Sequence, residues 1–314
     1  MSEEIVKFSK VTKSFGNIKA LNNIDFSIEQ GNIYGLLGHN GAGKTTIIRL
    51  IGGVLEADSG NISVFGKQPI KYGEVVRKNI GVLSDNTGLY ESLSAVDNLR
   101  YYGLMYKIPK DILDKRIENY LQQFDMLEVK NNPIKEFSSG MKKKIGIIRA
   151  IIHEPKLLLL DEASNGLDPV SLNGFHKILE ELVKTENIAI VFCSHNLDEV
   201  KKICKHVTII KQGRNIFSSD INSMINKTEH FSIKILMLQK VSSFKEKLII
   251  YLNRLNIKDY EFGENSIEIN MDSLNGINDV INAVIQCGIN IYEVSSEIFD
   301  LEKIYCKLDR STGI

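Results

Sequence analysis

One short segment constrains this chain more than any other. An apolar run, Ile33 to Leu37, leads into a glycine-rich stretch, and helix-forming residues begin at Ile47. The stretch reads Gly38, His39, Asn40, Gly41, Ala42, Gly43, Lys44, Thr45, Thr46. The pattern G-x-x-x-x-G-K-T between a strand and a helix is typical of a phosphate-binding loop, the Walker A motif. The sequence therefore predicts an α/β fold that places a phosphate chain on a helix N-terminus.

The residue types in this loop each suit a phosphate. Glycines let consecutive backbone N–H groups surround the β-phosphate, and the loop lysine reaches the β- and γ-phosphates. We therefore expect Lys44 to take part in catalysis and the Thr45 hydroxyl to bind Mg²⁺. The predicted ligand is a nucleoside triphosphate with its magnesium ion.

Two acidic residues follow a second apolar run, Leu157 to Leu160. A phosphate loop needs a carboxylate that holds Mg²⁺ and a group that orients the attacking water, so we assign Asp161 to the metal and Glu162 to general-base catalysis. His195 follows the next apolar run, Ile188 to Phe192. From the residues alone, this histidine is either structural or a contact to the γ-phosphate.

Apolar runs and amphipathic stretches alternate up to about residue 217, which is typical of an α/β domain. Strand patterns are missing between about residues 92 and 150, where Val96 to Tyr102 and Ile112 to Phe124 are predicted to be helical. The domain prediction is residues 1–220, with a helical insertion at about 92–150, then a linker at 221–230 and a small α+β domain at 231–314.

The small domain is predicted from a second set of patterns. Strands are expected at Ser232 to Ile235, Ser266 to Ile269 and Ile289 to Tyr292. A helix is expected to open with a capping box at Ser243, and another is expected to run from about Ile277 to Cys287, with Gly288 ending it. A last amphipathic segment is predicted at Ile298 to Leu308. No metal-ligand spacing marks this domain, so we expect a packing or partner-contact module.

Composition excludes several classes of protein. The 314 residues include 39 basic and 39 acidic side chains, so no net charge draws the chain to nucleic acid. No uncharged apolar run approaches the roughly 18 residues that span a bilayer, and the N-terminus does not resemble a secretion signal. The four cysteines are far apart and are expected to be reduced, mostly buried thiols: Cys193, Cys204, Cys287, Cys306.

Further motifs complete a recognisable series. Phe137-Ser138-Ser139-Gly140-Met141 precedes the acidic pair, and Asn165-Gly166-Leu167-Asp168 follows it. In this order, the motifs resemble the ATP-binding subunit of ABC transporters over residues 1 to about 220. The resemblance implies a P-loop NTPase core with an antiparallel β subdomain and a helical insertion, and it implies that the chain is an ATPase.

The resemblance also implies roles for individual residues. Phe15 would stack on adenine, Ser138 and Gly140 would be the signature residues, Asp168 would belong to the D-loop, and His195 would be the switch histidine. In this family two such domains close head to tail, so that the phosphate loop of one and the signature of the other enclose ATP. A second ATP-binding subunit, identical or paralogous, is therefore implied.

The family further implies a separate transmembrane permease. The contact for it is expected around the helical insertion, between about Asp85 and Tyr106, which would place the chain at the cytoplasmic face of the membrane. The segment after residue 220 resembles the C-terminal extension of bacterial subunits that protect cells against antibiotics and bacteriocins. That likeness favours export of an antimicrobial peptide or drug.

Four positions depart from the family pattern. Asp85 stands where the Q-loop glutamine is usual, and it could still bind Mg²⁺ through a carboxylate oxygen. Ser139 and Met141 replace a glycine and a glutamine of the signature, and Ala163 replaces the proline after Glu162. Because the phosphate-facing signature residues are retained, we expect an active but slow site.

Two other functions stay open on the sequence. One is a regulatory or sensor module that binds ATP with little turnover, which Asp85 and Ser139 would allow, although Glu162 and His195 count against it. The other is a soluble ABC ATPase of translation or DNA repair, although the duplicated domains, coiled coils and zinc sites of those classes are missing from the sequence. Lys142, Lys143 and Lys144 are interpreted either as a solvated helix start or as charges that act near the nucleotide.

Overall fold

The computed structural model describes residues 3–221, 231–271 and 276–298. The chain divides into two compact units, Met1–Asp220 and Ile221–Ile314. None of the helices in the described ranges is long and apolar enough to cross a membrane.

A six-stranded sheet forms the centre of the first unit. In spatial order its strands are β5 (Ile80–Ser84), β6 (Leu157–Asp161), β7 (Ala189–Ser194), β3 (Ile33–Leu37), β8 (His206–Lys211) and β9 (Arg214–Asp220). The first five strands are parallel and β9 is antiparallel to β8. Leu157 to Leu160 are fully buried, as expected for a parallel strand that is covered on both faces.

A three-stranded antiparallel sheet packs against the central one. It contains β1 (Glu4–Phe15), β2 (Ile18–Glu29) and β4 (Ser59–Val64), in the order β2-β1-β4. Its apolar residues, including Phe8 and Ile24, share one core with Ile47 and Ile51 of the first helix and with Val191 of β7. This core supports the helix that follows the glycine-rich loop.

Seven α-helices lie in the described part of the first unit, residues 3–220. They are α1 (Lys44–Ile51), α2 (Gly73–Arg77), α3 (Ala95–Met105), α4 (Lys110–Gln123), α5 (Ser139–Ile151), α6 (Pro169–Glu186) and α7 (Leu197–Ile203). The helices α3, α4 and α5, with a 3₁₀ turn at Ile134–Glu136, occupy the stretch in which the sequence predicted a helical insertion. The oxygen atoms of Ser94, Ser138, Asp168 and Asn196 accept backbone N–H groups and thereby cap α3, α5, α6 and α7.

The second unit is a small α+β domain. Its elements are β10 (Phe231–Met237), α8 (Lys245–Arg254), β11 (Tyr260–Phe262), β12 (Ser266–Met271), α9 (Ile277–Gln286) and β13 (Ile291–Ile298). The sheet order is β11-β12-β10-β13, with every pair antiparallel, which is the split β-α-β arrangement of ferredoxin-like folds. Leu248, Leu252 and Val280 of the two helices pack with Ile235 and Ile267 of the sheet.

Two expectations for this unit are wrong in detail. Ser243 does not cap α8, because Phe244 is the N-cap residue and the Ser243 hydroxyl donates to the Lys240 carbonyl at 2.7 Å. The last strand begins at Ile291 rather than Ile289, which is buried before it. Most of the linker expected at 221–230 lies outside the described residues, as does nearly all of the amphipathic segment expected at Ile298 to Leu308.

Candidate functional site

The strand order brings four polar segments to one edge of the central sheet. Parallel strands all end at the same edge, where ligands of open α/β sheets bind. The order β5-β6-β7-β3 therefore places Asp85, then Asp161 with Glu162, then His195, then Gly38 beside one another. The sequence predicted each of these segments, and the topology explains why residues so far apart in the chain meet.

The glycine-rich loop lines a cavity of about 320 Å³. The cavity is bounded by Ala20, His39, Asn40, Gly41, Gly43, Lys44, Thr45, Thr46 and Glu162. Gly43 is the N-cap of α1 with φ at +116°, and a Cβ there would lie 2.8 Å from the Ala20 carbonyl oxygen. Only glycine fits this turn, which points the first backbone N–H groups of α1 into the cavity.

Lys44 is held in place by the protein itself. Its side chain is 5% exposed, and its ammonium donates to the carbonyls of Gly38 and His39 and lies 3.0 Å from Oε1 of Glu162. A buried cation needs such partners. The ammonium is therefore fixed beside the phosphate cavity before any phosphate binds.

Glu162 lies between the two other predicted catalytic side chains. It adopts φ of +53°, a left-handed conformation that bends the chain sharply after β6, and its N–H donates to the Cys193 carbonyl at 3.1 Å. Besides the contact of Oε1 with Lys44, Oε2 lies 2.8 Å from Nδ1 of His195. The turn thus brings Lys44, Glu162 and His195 into one chain of contacts at the cavity.

Asp161 fits the acid that a metal ion requires. Its Oδ1 atom is buried without a hydrogen-bond partner in the described residues, which leaves a carboxylate oxygen free for a cation. No three acidic, histidine or cysteine side chains converge in the described ranges to hold a metal by themselves. A magnesium ion at this edge would therefore need phosphate oxygens and the exposed Thr45 hydroxyl in addition to Asp161.

Cys193 lies next to this site in the sheet, paired with Asp161. Burial, with the nearby Asp161 carboxylate, raises the pKa of the Cys193 thiol well above its ordinary value. Burial likewise raises the pKa of the Cys204 thiol. Neither thiol is poised to react, as the sequence indicated; Cys306 lies outside the described residues.

The residues assigned from the resemblance occupy other places. Phe15 ends β1, and its ring is 47% exposed. Ser138 and Gly140 line a separate cavity of about 350 Å³ at the start of α5 and α6. Asp168 caps α6 by accepting the N–H groups of Val170 and of the serine after it, each at 3.0 Å. Among the residues that the structure describes, the phosphate loop and the signature therefore line two separate cavities.

Asp85 is engaged by the helix that carries the signature. The buried ammonium of Lys143 on α5 lies 2.8 Å from the Asp85 carbonyl oxygen and 3.2 Å from its Oδ1 atom. The Asp85 side chain is otherwise 67% exposed. The predicted metal residue thus has a protein partner, which the sequence did not suggest.

Sequence reasoning missed a second pair near the catalytic residues. The Ser164 hydroxyl donates to Oε2 of Glu199 at 2.6 Å, which joins the segment after Glu162 to helix α7 after His195. Burial raises the pKa of Glu199, and the hydrogen bond from Ser164 opposes that rise. Asn196 followed by Glu199 three residues later is a capping-box pattern that could have drawn attention to this acid.

Comparisons with known proteins agree on one family. Residues 21–165 match the family model described as ABC transporter. The bacitracin transport ATP-binding protein BcrA of Bacillus licheniformis is 31% identical over 305 residues, which cover 97% of each chain. The ABC transporter ATP-binding protein NatA of Bacillus subtilis is 36% identical over 225 residues, 71% of this chain and 91% of NatA.

This chain belongs to the ABC transporter ATP-binding proteins. Among solved structures, cbiO1 of Clostridium perfringens, described as part of the ABC transporter complex cbiONQ, superimposes with a TM-score of 0.66 at 28% identity, over 81% of this chain and 96% of cbiO1. The predicted family and fold class are confirmed. The protein is an ATP-binding subunit of the ABC transporter family, whose members are ATPases coupled to transport.

Proposed function

We propose that this ABC subunit hydrolyses ATP with Glu162 as the general base. This proposal rests on the position of the Glu162 carboxylate at the phosphate cavity, where its oxygens lie 3.0 Å from the Lys44 ammonium and 2.8 Å from Nδ1 of His195. Lys44 draws the β- and γ-phosphates towards this carboxylate, and Glu162 accepts a proton from the attacking water. His195 orients the carboxylate and contacts the γ-phosphate.

In this proposal Thr45 and Asp161 would hold the magnesium ion. When bound, the ion would supply positive charge that offsets the negative charge of the phosphate chain. The buried, unpartnered Oδ1 of Asp161 supports this assignment. Lys143 contacts Oδ1 of Asp85, so the predicted metal contact of Asp85 falls to its other oxygen.

The separation of the two cavities supports a dimer. The signature residues Ser138 and Gly140 line one cavity, and the phosphate loop lines another in the same chain. A second ATP-binding subunit, placed head to tail, brings its signature to the γ-phosphate and its Asp168 to the interface. Phe15 stacks on adenine at the outer side. ATP then joins the halves, and hydrolysis releases them.

A groove beside α3 is the proposed contact with the permease. It has a volume of about 550 Å³ and is lined by apolar side chains, including Val82 and Met105, and by three arginines: Arg49, Arg77 and Arg149. Met105 is 65% exposed, and Tyr106 at the end of the expected contact region also lines the groove. A large exposed apolar patch of this kind marks an interaction site. Binding there places the subunit at the cytoplasmic face of the membrane.

The proposed cargo is an antimicrobial peptide or drug, which the complete transporter exports. The support is the full-length similarity to BcrA, whose name assigns it to bacitracin transport and which matches the second unit as well as the first. The linearmycin resistance ATP-binding protein LnrL of Bacillus subtilis is 28% identical and also covers 98% of this chain.

The catalytic proposal is tested by Mg²⁺-dependent ATP hydrolysis of the purified chain. Glu162→Gln keeps the size of the side chain but removes the base, so turnover should fall by at least about 100-fold while ATP still binds. Light scattering should then show an ATP-trapped dimer. Glu118→Gln, an exposed change on α4, is the matched control and should retain wild-type turnover. Equal turnover of Glu162→Gln and wild type would rule out the assignment.

The cargo proposal needs the permease. Cells that express the subunit with its permease should tolerate higher concentrations of bacitracin-like or lantibiotic peptides than cells that express Glu162→Gln with the same permease. Equal tolerance for every compound of such a panel would reject antimicrobial export and leave the ATPase assignment untouched.

A further inference from the structure

Three consecutive lysines at the start of α5 fasten the signature helix to its neighbours. Lys142 lies 2.7 Å from Oε1 of Glu91, and Lys144 donates to the Phe124 carbonyl, also at 2.7 Å. Lys143 contacts the residue that follows β5. These side chains are therefore not a solvated helix start, as one interpretation of the sequence had them.

Lys143 differs from its neighbours in burial. It is 5% exposed, whereas the side chains of the Lys142 and Glu91 pair are 28% and 66% exposed. A lysine is almost never buried to this degree without a partner, and removing one partner of a buried charge is far more damaging than breaking an exposed pair. Its two contacts, to the carbonyl and Oδ1 of Asp85, supply that pairing.

The position of Asp85 gives this contact its significance. Asp85 directly follows Ser84, which pairs with Asp161 in the central sheet. Lys143 lies five residues after Ser138, the signature residue that caps the same helix. The Lys143 contact thus joins the edge of the sheet that carries the metal-side acid to the helix that carries the signature.

Other contacts bind the segment 85–91, here named the β5 loop, within itself and to α3. The Tyr102 hydroxyl donates to the Gly88 carbonyl, and the Gly88 N–H donates to the Asn86 side chain at 2.9 Å. The Tyr90 N–H donates to the buried Asn98 side chain at 2.8 Å. A shift of α5 that moves Asp85 would therefore act on a loop that is also bound to α3.

We propose that Lys143 is a positioning residue that locks the β5 loop to the signature helix, so that the signature and the metal-side edge move together during turnover. This inference rests on the proposed ATPase cycle, in which Ser138 must reach a γ-phosphate. A displacement of about 1 Å in such a group is enough to lower a rate by up to 100-fold.

Four variants of the full chain test the proposal. Lys143→Met removes both contacts with Asp85, whereas Asp85→Asn replaces the carboxylate by a neutral amide and keeps the contact with the backbone carbonyl. The variant that carries both changes completes a double-mutant cycle. Lys142→Met breaks the exposed pair on the same helix and is the matched control. The measurements are kcat and KM for Mg²⁺-ATP and the hydrogen exchange of amides in residues 85–91.

Lys143→Met should lower kcat by about tenfold or more and change KM less than about twofold, because Lys143 does not touch the phosphate cavity. Exchange in the β5 loop should rise, while exchange in the segment 38–51 stays unchanged. In the exchange measurement, Asp85→Asn removes one of the two contacts and should raise β5-loop exchange less than Lys143→Met does, and adding it to Lys143→Met should raise that exchange little further. Lys142→Met should leave all three quantities near wild type.

Three outcomes would overturn the proposal. The first is an unchanged β5-loop exchange in Lys143→Met, and the second is an equal loss of kcat in Lys143→Met and Lys142→Met. A rise of KM without a fall of kcat would assign Lys143 to nucleotide binding instead and also reject it. Failure of the ATPase proposal can be told apart from failure of the Lys143 proposal. In the first case the wild type would show no turnover, but Lys143→Met and Lys142→Met would still differ in the hydrogen exchange of the β5 loop.

Discussion

Asn98 on α3 offers a sharp test of how the structure positions the segment before the helical insertion. Its side chain is fully buried; Oδ1 accepts the Tyr90 N–H at 2.8 Å, and Nδ2 donates to the carbonyls of Tyr90 and Ser94 at 3.0 and 2.9 Å. Both carbonyls also accept a backbone N–H, from Leu93 and from Asn98 itself. In Asn98→Ala the two carbonyls therefore keep a hydrogen-bond donor, whereas the Tyr90 N–H loses the one acceptor described for it.

The expected cost follows from this inventory. An orphaned buried N–H costs about 1–3 kcal/mol, and each lost bond to a carbonyl that keeps another donor costs about 0.5–1 kcal/mol. Asn98→Ala should thus reduce the free energy of unfolding by about 3 kcal/mol. Asn98→Asp keeps the acceptor for Tyr90 but turns a second oxygen towards the carbonyls of Tyr90 and Ser94. It should be less stable than Asn98→Ala at neutral pH.

Urea unfolding followed by circular dichroism measures these differences, since the chain has no tryptophan to serve as a fluorescent probe. Asn119→Ala, an exposed change on α4, is the matched control and should stay within about 0.5 kcal/mol of wild type. The gap between Asn98→Asp and wild type should narrow in acid, because the protonated carboxyl can donate a hydrogen bond. A loss below about 1 kcal/mol for Asn98→Ala, or an aspartate variant more stable than the alanine variant at neutral pH, would refute the reasoning.

Three further predictions concern other parts of the first unit. Gly103→Ala puts a methyl group against the Leu113 side chain where α3 meets α4, so it should lower the free energy of unfolding by about 1–3 kcal/mol, and the same change should cost less when it is made in a Leu113→Ala background. Ser164→Ala removes a hydrogen bond that stabilises the charged form of Glu199. The urea midpoint of this variant should therefore be lower than that of the wild type at neutral pH, and the difference should shrink as the Glu199 carboxyl is protonated. Hydrogen bonds from Ser171, the first of them from its hydroxyl, lower the pKa of Asp168. The stabilisation by the ionised Asp168 carboxylate is therefore present above its unfolded-state pKa and is lost as the pH falls through its folded-state pKa, so the difference in thermal midpoint between wild type and Asp168→Ala should shrink in acid.

The conformation of the glycine-rich loop could be predicted from the sequence because its motif is local. Gly43 needs a positive φ, Lys44 needs the loop carbonyls, and both follow from a few consecutive residues. The acidic pair at Asp161 and Glu162 was predictable for a similar reason, since it ends an apolar strand. Local sequence could not predict the strand order β5-β6-β7-β3. That order places His195 between the acidic pair and the glycine-rich loop.

The lysine contacts were unpredictable for a different physical reason. Lys143 and Asp85 are 58 residues apart, and nothing in the letters K-K-K tells which lysine is buried. Burial is decided by the face of α5 that meets the β5 loop, and that face is set by tertiary packing of the insertion. The same packing explains why a charged residue is compatible with the Q-loop position in this chain. Without a nearby cation, an aspartate at this position would add a further negative charge at the edge of the sheet that carries Asp161 and Glu162. The Lys143 ammonium supplies the counter-charge, and its contacts with Asp85 also join the β5 loop to the signature helix.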